Sequence, residues 1–332
     1  MDIDDIKQNI ECRILLSPAG PGYLLGKTFA TSAKIKLENN NPCNDRLIET
    51  VLDTSPISDQ MFFNKQEEER LLKDALALSQ DVYVINGHSD NFYHTYSKIS
   101  YGQPWHLLNN NIKIEEHPKD IQAFWEQVSN LNFNNPSDGF GSALFYTQFK
   151  VGLYIVAYVT EGTATFIDWI NNIMQGAIMY APQYKDSSDN AKLIANAFNN
   201  TLKNKARLYF FGHSLGGGLA NKNALVTGFP SITFNAASLH TLNALNPNYK
   251  KNLLLGIYVD GEALSSRLSR YTLGKDGARY KVQLTNEAYN TKSLNGLINK
   301  IPAVRKHMLE PLFEQYYGSK IVPTKWNKSN EI

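Results

Sequence analysis

From about residue 67, the chain alternates between the apolar spacing of amphipathic helices and the continuous apolar runs of buried strands. Apolar residues that recur every three or four positions share one helical face, and they predict helices that start near Glu67 and near Pro118. The spacing of a third set predicts another helix, whose apolar members are Leu193, Ile194, Ala197, Phe198 and Leu202. Further helices are expected over 166–178 and within 294–317. Apolar runs predict strands over 143–149, 153–159, 208–211, 231–235 and 253–259, and the first two are joined by a tight link at 150–152.

The order of these elements predicts the fold class. Helices that alternate with buried strands are typical of an α/β domain, in which a mostly parallel central sheet carries helices on both faces. Right-handed crossovers then place the loops that follow the strands along one carboxyl edge of the sheet. Residues 1–64 are irregular, so we expect an N-terminal extension over 1–64 and the α/β domain over 65–332 of this 332-residue chain.

Charge and composition exclude some functions. Lys and Arg number 33 against 31 Asp and Glu, and no basic stripe is present, so we expect no nucleic-acid partner. The acidic start, Met1 to Ile6, precedes no apolar h-region, which indicates synthesis in the cytoplasm without a signal peptide. Neither H-E-x-x-H nor paired C-x-x-C occurs, so we expect no metal and no organic cofactor.

The pentapeptide Gly212-His213-Ser214-Leu215-Gly216 carries the strongest chemical signal. It follows an apolar run and precedes a helix-compatible run, which is the strand–turn–helix setting of a G-x-S-x-G nucleophile elbow. Such a turn holds the serine in a strained conformation. The residues two positions before and two positions after the serine are glycine because a side chain at either position would clash. We therefore predict an α/β-hydrolase fold with Ser214 as the nucleophile.

A serine nucleophile needs a histidine base and a carboxylate that orients the base. In α/β-hydrolases the chain order is serine, acid, histidine. Of the seven histidines only His240 and His307 follow the elbow, and His240 leaves no room for a further strand and an acid, so His307 is the predicted base. The acid should follow the strand that ends at Val259. There, Asp260 and Glu262 compete, and spacing alone does not separate them.

The oxyanion hole of an α/β-hydrolase takes one amide from the residue after the nucleophile, here Leu215. Its second amide comes from an early strand–helix loop. Residues 158–163 form such a loop, with Gly162 for close backbone approach and Thr163 as the predicted donor. Thr163 also suits the N-cap of the following helix, and the two roles are compatible.

These motifs together resemble the class 3 lipases, the fungal-lipase-like α/β-hydrolases. The family elbow is present as Gly212 to Gly217, and the family's oxyanion signature appears as Gly162-Thr163 followed by Asp168-Trp169. In the family's acid turn, Asp-x-Val precedes Pro or Ser. Glu262-Ala263-Leu264-Ser265 fits that frame better than Asp260, so the resemblance favours Glu262 and keeps Asp260 as the alternative. One departure is Glu161, where the family often has Arg, and it alters the expected shape of the oxyanion loop.

Other features resemble bacterial lipases that are delivered as type VI secretion effectors. They are the Gly216 to Gly218 run, the Ala-Ala-Ser that follows Asn235, and the signal-free N-terminus. The resemblance implies a serine lipase or phospholipase that acts on lipid esters at a membrane surface. It also implies secretion into a target cell by a specialised system, and an immunity protein as partner.

The apolar segment 166–179 lies where class 3 lipases carry a lid, and an ordinary buried helix is the alternative. Two other functions fit the same fold: a soluble carboxylesterase for small esters, and a binding module without catalysis. A hydrolysis rate that rises when the substrate aggregates would distinguish a lidded lipase from an esterase.

Overall fold

The computed structural model describes residues 65–87, 91–92, 105–109, 114–162, 182–237, 254–259, 261–262, 277–282, 306–317 and 324–325. Its helices are α1 (Lys65–Ile85), α2 (Lys119–Val128), α3 (Gln183–Thr201), α4 (Leu215–Thr227) and α5 (Glu310–Tyr317), with a 3₁₀ turn at Ile114–Glu116. Its longer strands are β4 (Phe140–Lys150), β5 (Leu153–Thr160), β6 (Ala206–His213), β7 (Ser231–Phe234), β8 (Leu254–Val259) and β9 (Gly277–Val282). Two-residue strands are β1 (Asn91–Phe92), β2 (His106–Leu107), β3 (Asn134–Asn135) and β10 (Thr324–Lys325).

The central sheet follows the order β2-β4-β5-β6-β7-β8-β9, and β3 pairs with β4. Strands β5 to β9 are parallel to one another, whereas β2, β3 and β5 each run antiparallel to β4. A separate two-stranded antiparallel sheet joins β1 and β10. The predicted α/β class with a mostly parallel sheet is therefore confirmed, and the antiparallel strands lie at one end of the sheet.

Side chains of the central strands alternate between two hydrophobic cores, one on each face of the sheet. On β6, Leu208 and Phe210 belong to the first core, whereas Tyr209 and Phe211 belong to the second. Helices α2, α3 and α4 cover the first core, and α1 and α5 cover the second. Burial on both faces explains why these strands are continuous apolar runs in the sequence.

The predicted helices and strands that fall on described residues agree with the structure in type and approximate position. The apolar run from Asp81 to Ile85 extends α1, and the link at 150–152 is a hairpin turn with Gly152 at φ +77°. Leu193 departs from its predicted place on the apolar face of α3, since it is 51% exposed while Ile194 is fully buried. One residue turns a helix by about 100°, so the two side chains face different surroundings.

Strand β9 was missed by the sequence reasoning. Its Arg279 and Lys281 interrupt any apolar run, and it lies at one end of the described sheet with β8 as its neighbour there. The predicted extension 1–64, the predicted helix 166–178 and the first part of the predicted tail helices lie outside the described residues. Among the helices that are described, none is long and apolar enough to cross a membrane.

Candidate active site

Ser214 occupies the sharp turn between β6 and α4, at the carboxyl edge of the sheet. Its backbone angles are φ 58° and ψ −126°, a strained combination for a residue with a side chain. The Ser214 amide donates to the Phe234 carbonyl over 3.1 Å, and the Ala237 amide donates to the Ser214 carbonyl over 2.7 Å. Hydrogen bonds to the neighbouring strand and loop therefore hold the residue in the elbow conformation.

The glycines of the elbow are required by close backbone approach. A Cβ added to Gly216 would meet the Thr160 carbonyl oxygen and would lie 2.8 Å from the Gly162 amide nitrogen. A Cβ added to Gly212 would lie 2.5 Å from the Gly216 carbonyl carbon. The start of α4 thus packs directly on the end of β5, which brings the predicted oxyanion loop next to the nucleophile.

Leu215, the predicted first oxyanion donor, is the first residue of α4. The first amides of a helix have no intrahelical acceptor and lie at the positive end of the helix dipole. The Ser214 side chain does not cap these amides. An uncapped amide at the start of a helix, as at Leu215, is suited to donate to a negative charge that develops in acyl transfer.

His307 and Glu262 form a hydrogen-bonded pair. His307 Nδ1 lies 2.6 Å from Glu262 Oε2, and both side chains are fully buried. Glu262 follows β8 in a turn that contains Gly261 at φ +74°, and the Glu262 amide donates to the Val259 carbonyl over 3.1 Å. Because a carboxylate accepts, Nδ1 carries a proton, which in a neutral ring leaves the lone pair that a general base needs on Nε2.

The backbone of His307 is anchored to the same edge of the sheet. Its carbonyl oxygen accepts hydrogen bonds from Asn235 Nδ2 over 2.9 Å and from His213 Nε2 over 2.8 Å. Asn235 also accepts from the Val259 amide through Oδ1 over 2.9 Å, so one buried side chain joins β8 to the His307 segment. The residue before the nucleophile thus contacts the backbone of the predicted base directly.

Asn235 was named in the sequence reasoning only as part of a strand motif, and its anchoring role was missed. It directly follows β7 and has φ 44°; apart from Ser214, no other described non-glycine residue has a positive φ. An Asn directly after a buried strand, at the carboxyl edge of the sheet, was the available signal, because Asn tolerates this conformation better than most residues.

The oxyanion loop is described as far as Gly162. A Cβ on Gly162 would lie 2.9 Å from the His213 carbonyl oxygen and 3.3 Å from Ser214 Cβ, so glycine allows the close approach. The unexpected Glu161 is buried and accepts a hydrogen bond from Asn86 Nδ2 over 2.7 Å. The predicted oxyanion donor Thr163 and the alternative acid Asp260 lie outside the described residues.

The structure thus brings together Ser214, Leu215, His307 and Glu262 at the carboxyl edge of one sheet. Among the described residues, no group of three or more His, Cys, Asp or Glu is placed to hold a metal ion. Serine, histidine and carboxylate are the residue types that nucleophilic acyl transfer needs. The fold and this site define an α/β hydrolase with a nucleophile elbow.

A family model of the Tle-like phospholipase domain matches residues 75–308, which is most of the chain and includes the whole site. The chain therefore belongs to this phospholipase-like family of type VI secretion lipase effectors. The predicted resemblance to lipase effectors is confirmed at the level of the family, whereas the class 3 label stays a prediction.

One curated protein and one solved structure are also similar. The chain is 39% identical over 120 residues to the "Extracellular phospholipase A1" of Serratia liquefaciens, a match that covers 36% of this chain and 34% of that protein. The match thus spans about a third of that relative's length. The crystal structure of M37 lipase aligns with a TM-score of 0.41 at 12% identity, over 79% of this chain and 96% of that one.

Proposed function

We propose that this protein is a serine phospholipase of the A type, which hydrolyses carboxylic ester bonds of membrane phospholipids. The observation that carries the proposal is the buried 2.6 Å hydrogen bond between His307 and Glu262, beside the strained Ser214 elbow. Membership of a phospholipase family and the similarity to a phospholipase A1 support a lipid ester as substrate.

In the proposed reaction, Ser214 Oγ attacks the ester carbonyl carbon while His307 Nε2 takes the hydroxyl proton. The amides of Leu215 and Thr163 donate to the oxyanion of the tetrahedral intermediate. That intermediate collapses, the C–O bond to the lysolipid breaks, and His307 returns the proton to the leaving oxygen. Water, activated by His307, then attacks the acyl-enzyme, which releases the fatty acid and restores Ser214.

Glu262 is the proposed acid of the triad. Its carboxylate fixes the His307 tautomer with the proton on Nδ1 and stabilises the positive charge that the ring gains during the reaction. The contact with His307 favours Glu262 over Asp260, which follows the same strand two residues earlier.

The biological setting that we propose is attack on the membrane of a target cell. The protein would be made in the cytoplasm, delivered by a specialised secretion system, and covered by an immunity protein in the producing cell. The family to which the chain belongs supports this setting.

The test is hydrolysis of phosphatidylethanolamine and phosphatidylglycerol vesicles by the wild type and by Ser214→Ala, with the products identified by mass. We expect lysophospholipid and fatty acid from the wild type and none from Ser214→Ala. Ser188→Ala is a matched control, since Ser188 is also 6% exposed and lies in α3, and it should retain wild-type activity.

Three results would contradict the proposal. Full ester hydrolysis by Ser214→Ala would exclude Ser214 as the nucleophile. Hydrolysis of small soluble esters with no activity on vesicles would favour the carboxylesterase alternative. A wild-type protein that hydrolyses neither substrate would favour the binding module.

A further inference from the structure

A chain of hydrogen bonds outside the proposed triad connects the oxyanion loop to the backbone of His307. The Gly162 amide donates to the Tyr83 hydroxyl over 3.0 Å, and that hydroxyl lies 3.2 Å from His213 Nδ1. On the other side of the imidazole ring, His213 Nε2 lies 2.8 Å from the His307 carbonyl oxygen. Tyr83, in α1, thus contacts Gly162 of the oxyanion loop and His213, the residue before Ser214.

Each hydrogen bond in this chain has a defined direction. A carbonyl oxygen only accepts, so His213 Nε2 carries a proton. Burial lowers the pKa of His213 to about 3, and the neighbouring His307 acts in the same direction. The ring is therefore neutral at physiological pH, Nδ1 carries its lone pair, and the Tyr83 hydroxyl donates to Nδ1 while accepting from Gly162.

The phenol of Tyr83 is kept in the protonated form that this arrangement needs. Burial raises the pKa of Tyr83 far above its usual range, and the charge of Glu161 raises it further. Tyr83 is therefore a hydrogen-bond donor throughout the physiological pH range.

The groups in this chain converge beside the nucleophile. A Cβ on Gly162 would meet the Tyr83 hydroxyl and would lie 3.3 Å from Ser214 Cβ. Displacement of reacting groups by about 1 Å is enough to slow catalysis by as much as a hundredfold. Contacts at this point therefore affect the alignment of the nucleophile, the base and the oxyanion loop together.

We infer that Tyr83 is a positioning residue, which aligns the His307 backbone through His213 and holds the oxyanion loop through Gly162. The inference rests on the proposed function, because alignment matters for rate only if His307 and the loop take part in catalysis. Tyr83 itself makes no contact with the reacting ester in this scheme.

The first test compares Tyr83→Phe with Tyr146→Phe in hydrolysis of p-nitrophenyl butyrate. Tyr146 is a buried tyrosine of the first core, remote from Ser214 in the sequence, whose hydroxyl hydrogen-bonds with His117 Nδ1, so its variant also removes a phenol hydroxyl that is paired with an imidazole. We expect Tyr83→Phe to lower kcat by about tenfold, the effect of about 1.4 kcal/mol, with KM nearly unchanged. Tyr146→Phe should leave kcat near the wild-type value, and equal kcat losses in both variants would overturn the inference.

A double-mutant cycle with His213→Gln tests whether Tyr83 acts through His213. In the His213→Gln background, we expect Tyr83→Phe to lower kcat by clearly less than tenfold, because interacting residues are non-additive and only the contact with Gly162 is then left to lose. The same tenfold loss in both backgrounds would show that Tyr83 acts independently of His213, which contradicts the proposed connection.

A measurement that does not depend on activity completes the test. In protein labelled with ¹⁵N-histidine, the His213 ring should carry its proton on Nε2, and Tyr83→Phe should shift the Nδ1 resonance without moving the proton. A proton on Nδ1 in the wild type would overturn the inference. If the wild type hydrolyses no ester, the proposed function fails, and the NMR result still decides whether Tyr83 donates to His213.

Discussion

Replacement of Glu262 by Gln is the sharpest test of the proposed triad. Gln has nearly the shape of Glu but no charge, so the buried site keeps its packing while His307 loses its anionic partner. The amide is also able to donate to Nδ1, which would favour the wrong tautomer of His307 and place the proton on Nε2.

The expected loss follows from the contact between the two side chains. His307 Nδ1 and Glu262 Oε2 are 2.6 Å apart, and both residues are fully buried. In the transition state the imidazole is positive, and at a charge separation of about 4 Å and an effective dielectric constant of about 20 the attraction is about 4 kcal/mol. Loss of that attraction lowers kcat by about a thousandfold. KM should change little, because the positive charge develops only on the way to the transition state.

The assay is steady-state hydrolysis of p-nitrophenyl butyrate by the wild type, Glu262→Gln and Asp260→Asn, with circular dichroism as a check on folding. Asp260→Asn is the matched control, since it removes a carboxylate from the same turn two residues away. If Glu262→Gln retains most of the wild-type kcat while Asp260→Asn loses it, the acid of the triad is Asp260 and the reasoning is refuted.

Three other substitutions, one of them with a matched glycine control, test the elbow, the anchor and a buried acid. Gly216→Ala should lower the free energy of unfolding by more than about 3 kcal/mol, because its Cβ would lie 2.8 Å from the Gly162 amide nitrogen. Gly152→Ala is the control, because a Cβ there meets open space and only the backbone conformation at φ +77° is unfavourable, so the free energy of unfolding should fall by about 1–2 kcal/mol. Equal losses in the two variants, measured by urea titration, would contradict this interpretation. Asn235→Ala removes hydrogen bonds that anchor the His307 segment. The substitution should lower the free energy of unfolding by about 2–3 kcal/mol and should also lower kcat. A variant with full activity and full stability would show that the anchor is dispensable. Burial raises the pKa of Asp74 from 3.8 to about 6, so the folded state favours the protonated acid. The wild type therefore loses up to about 3 kcal/mol of folding free energy as the pH rises from about 4 through 6. Asp74→Asn should therefore be more stable than the wild type at pH 8 and equally stable at pH 4. A difference in stability between the two proteins that grows towards low pH would contradict this prediction.

Local sequence patterns were sufficient to predict most of the described framework. The apolar runs of β4 to β8 and the apolar faces of α1, α2 and α3 were identified correctly, because burial on one or both faces imposes a period on the sequence. Strand β9 was missed because its arginine and lysine conceal that period at the end of the sheet. Leu193 was misplaced because helical spacing identifies a face only to within about one residue.

The sequence by itself predicted the elbow, since the G-x-S-x-G pattern between an apolar run and a helix-compatible run lies within one short stretch of chain. It also reduced the candidate bases to His307, because chain order in this fold leaves few alternatives. Only the tertiary structure showed that Glu262 hydrogen-bonds to His307, and that Asn235, His213 and Tyr83 hold the surrounding backbone. These contacts join residues from 45 to 130 positions apart along the chain. These contacts depend on the positions in space at which the parallel strands end, and a local pattern of residues does not predict those positions.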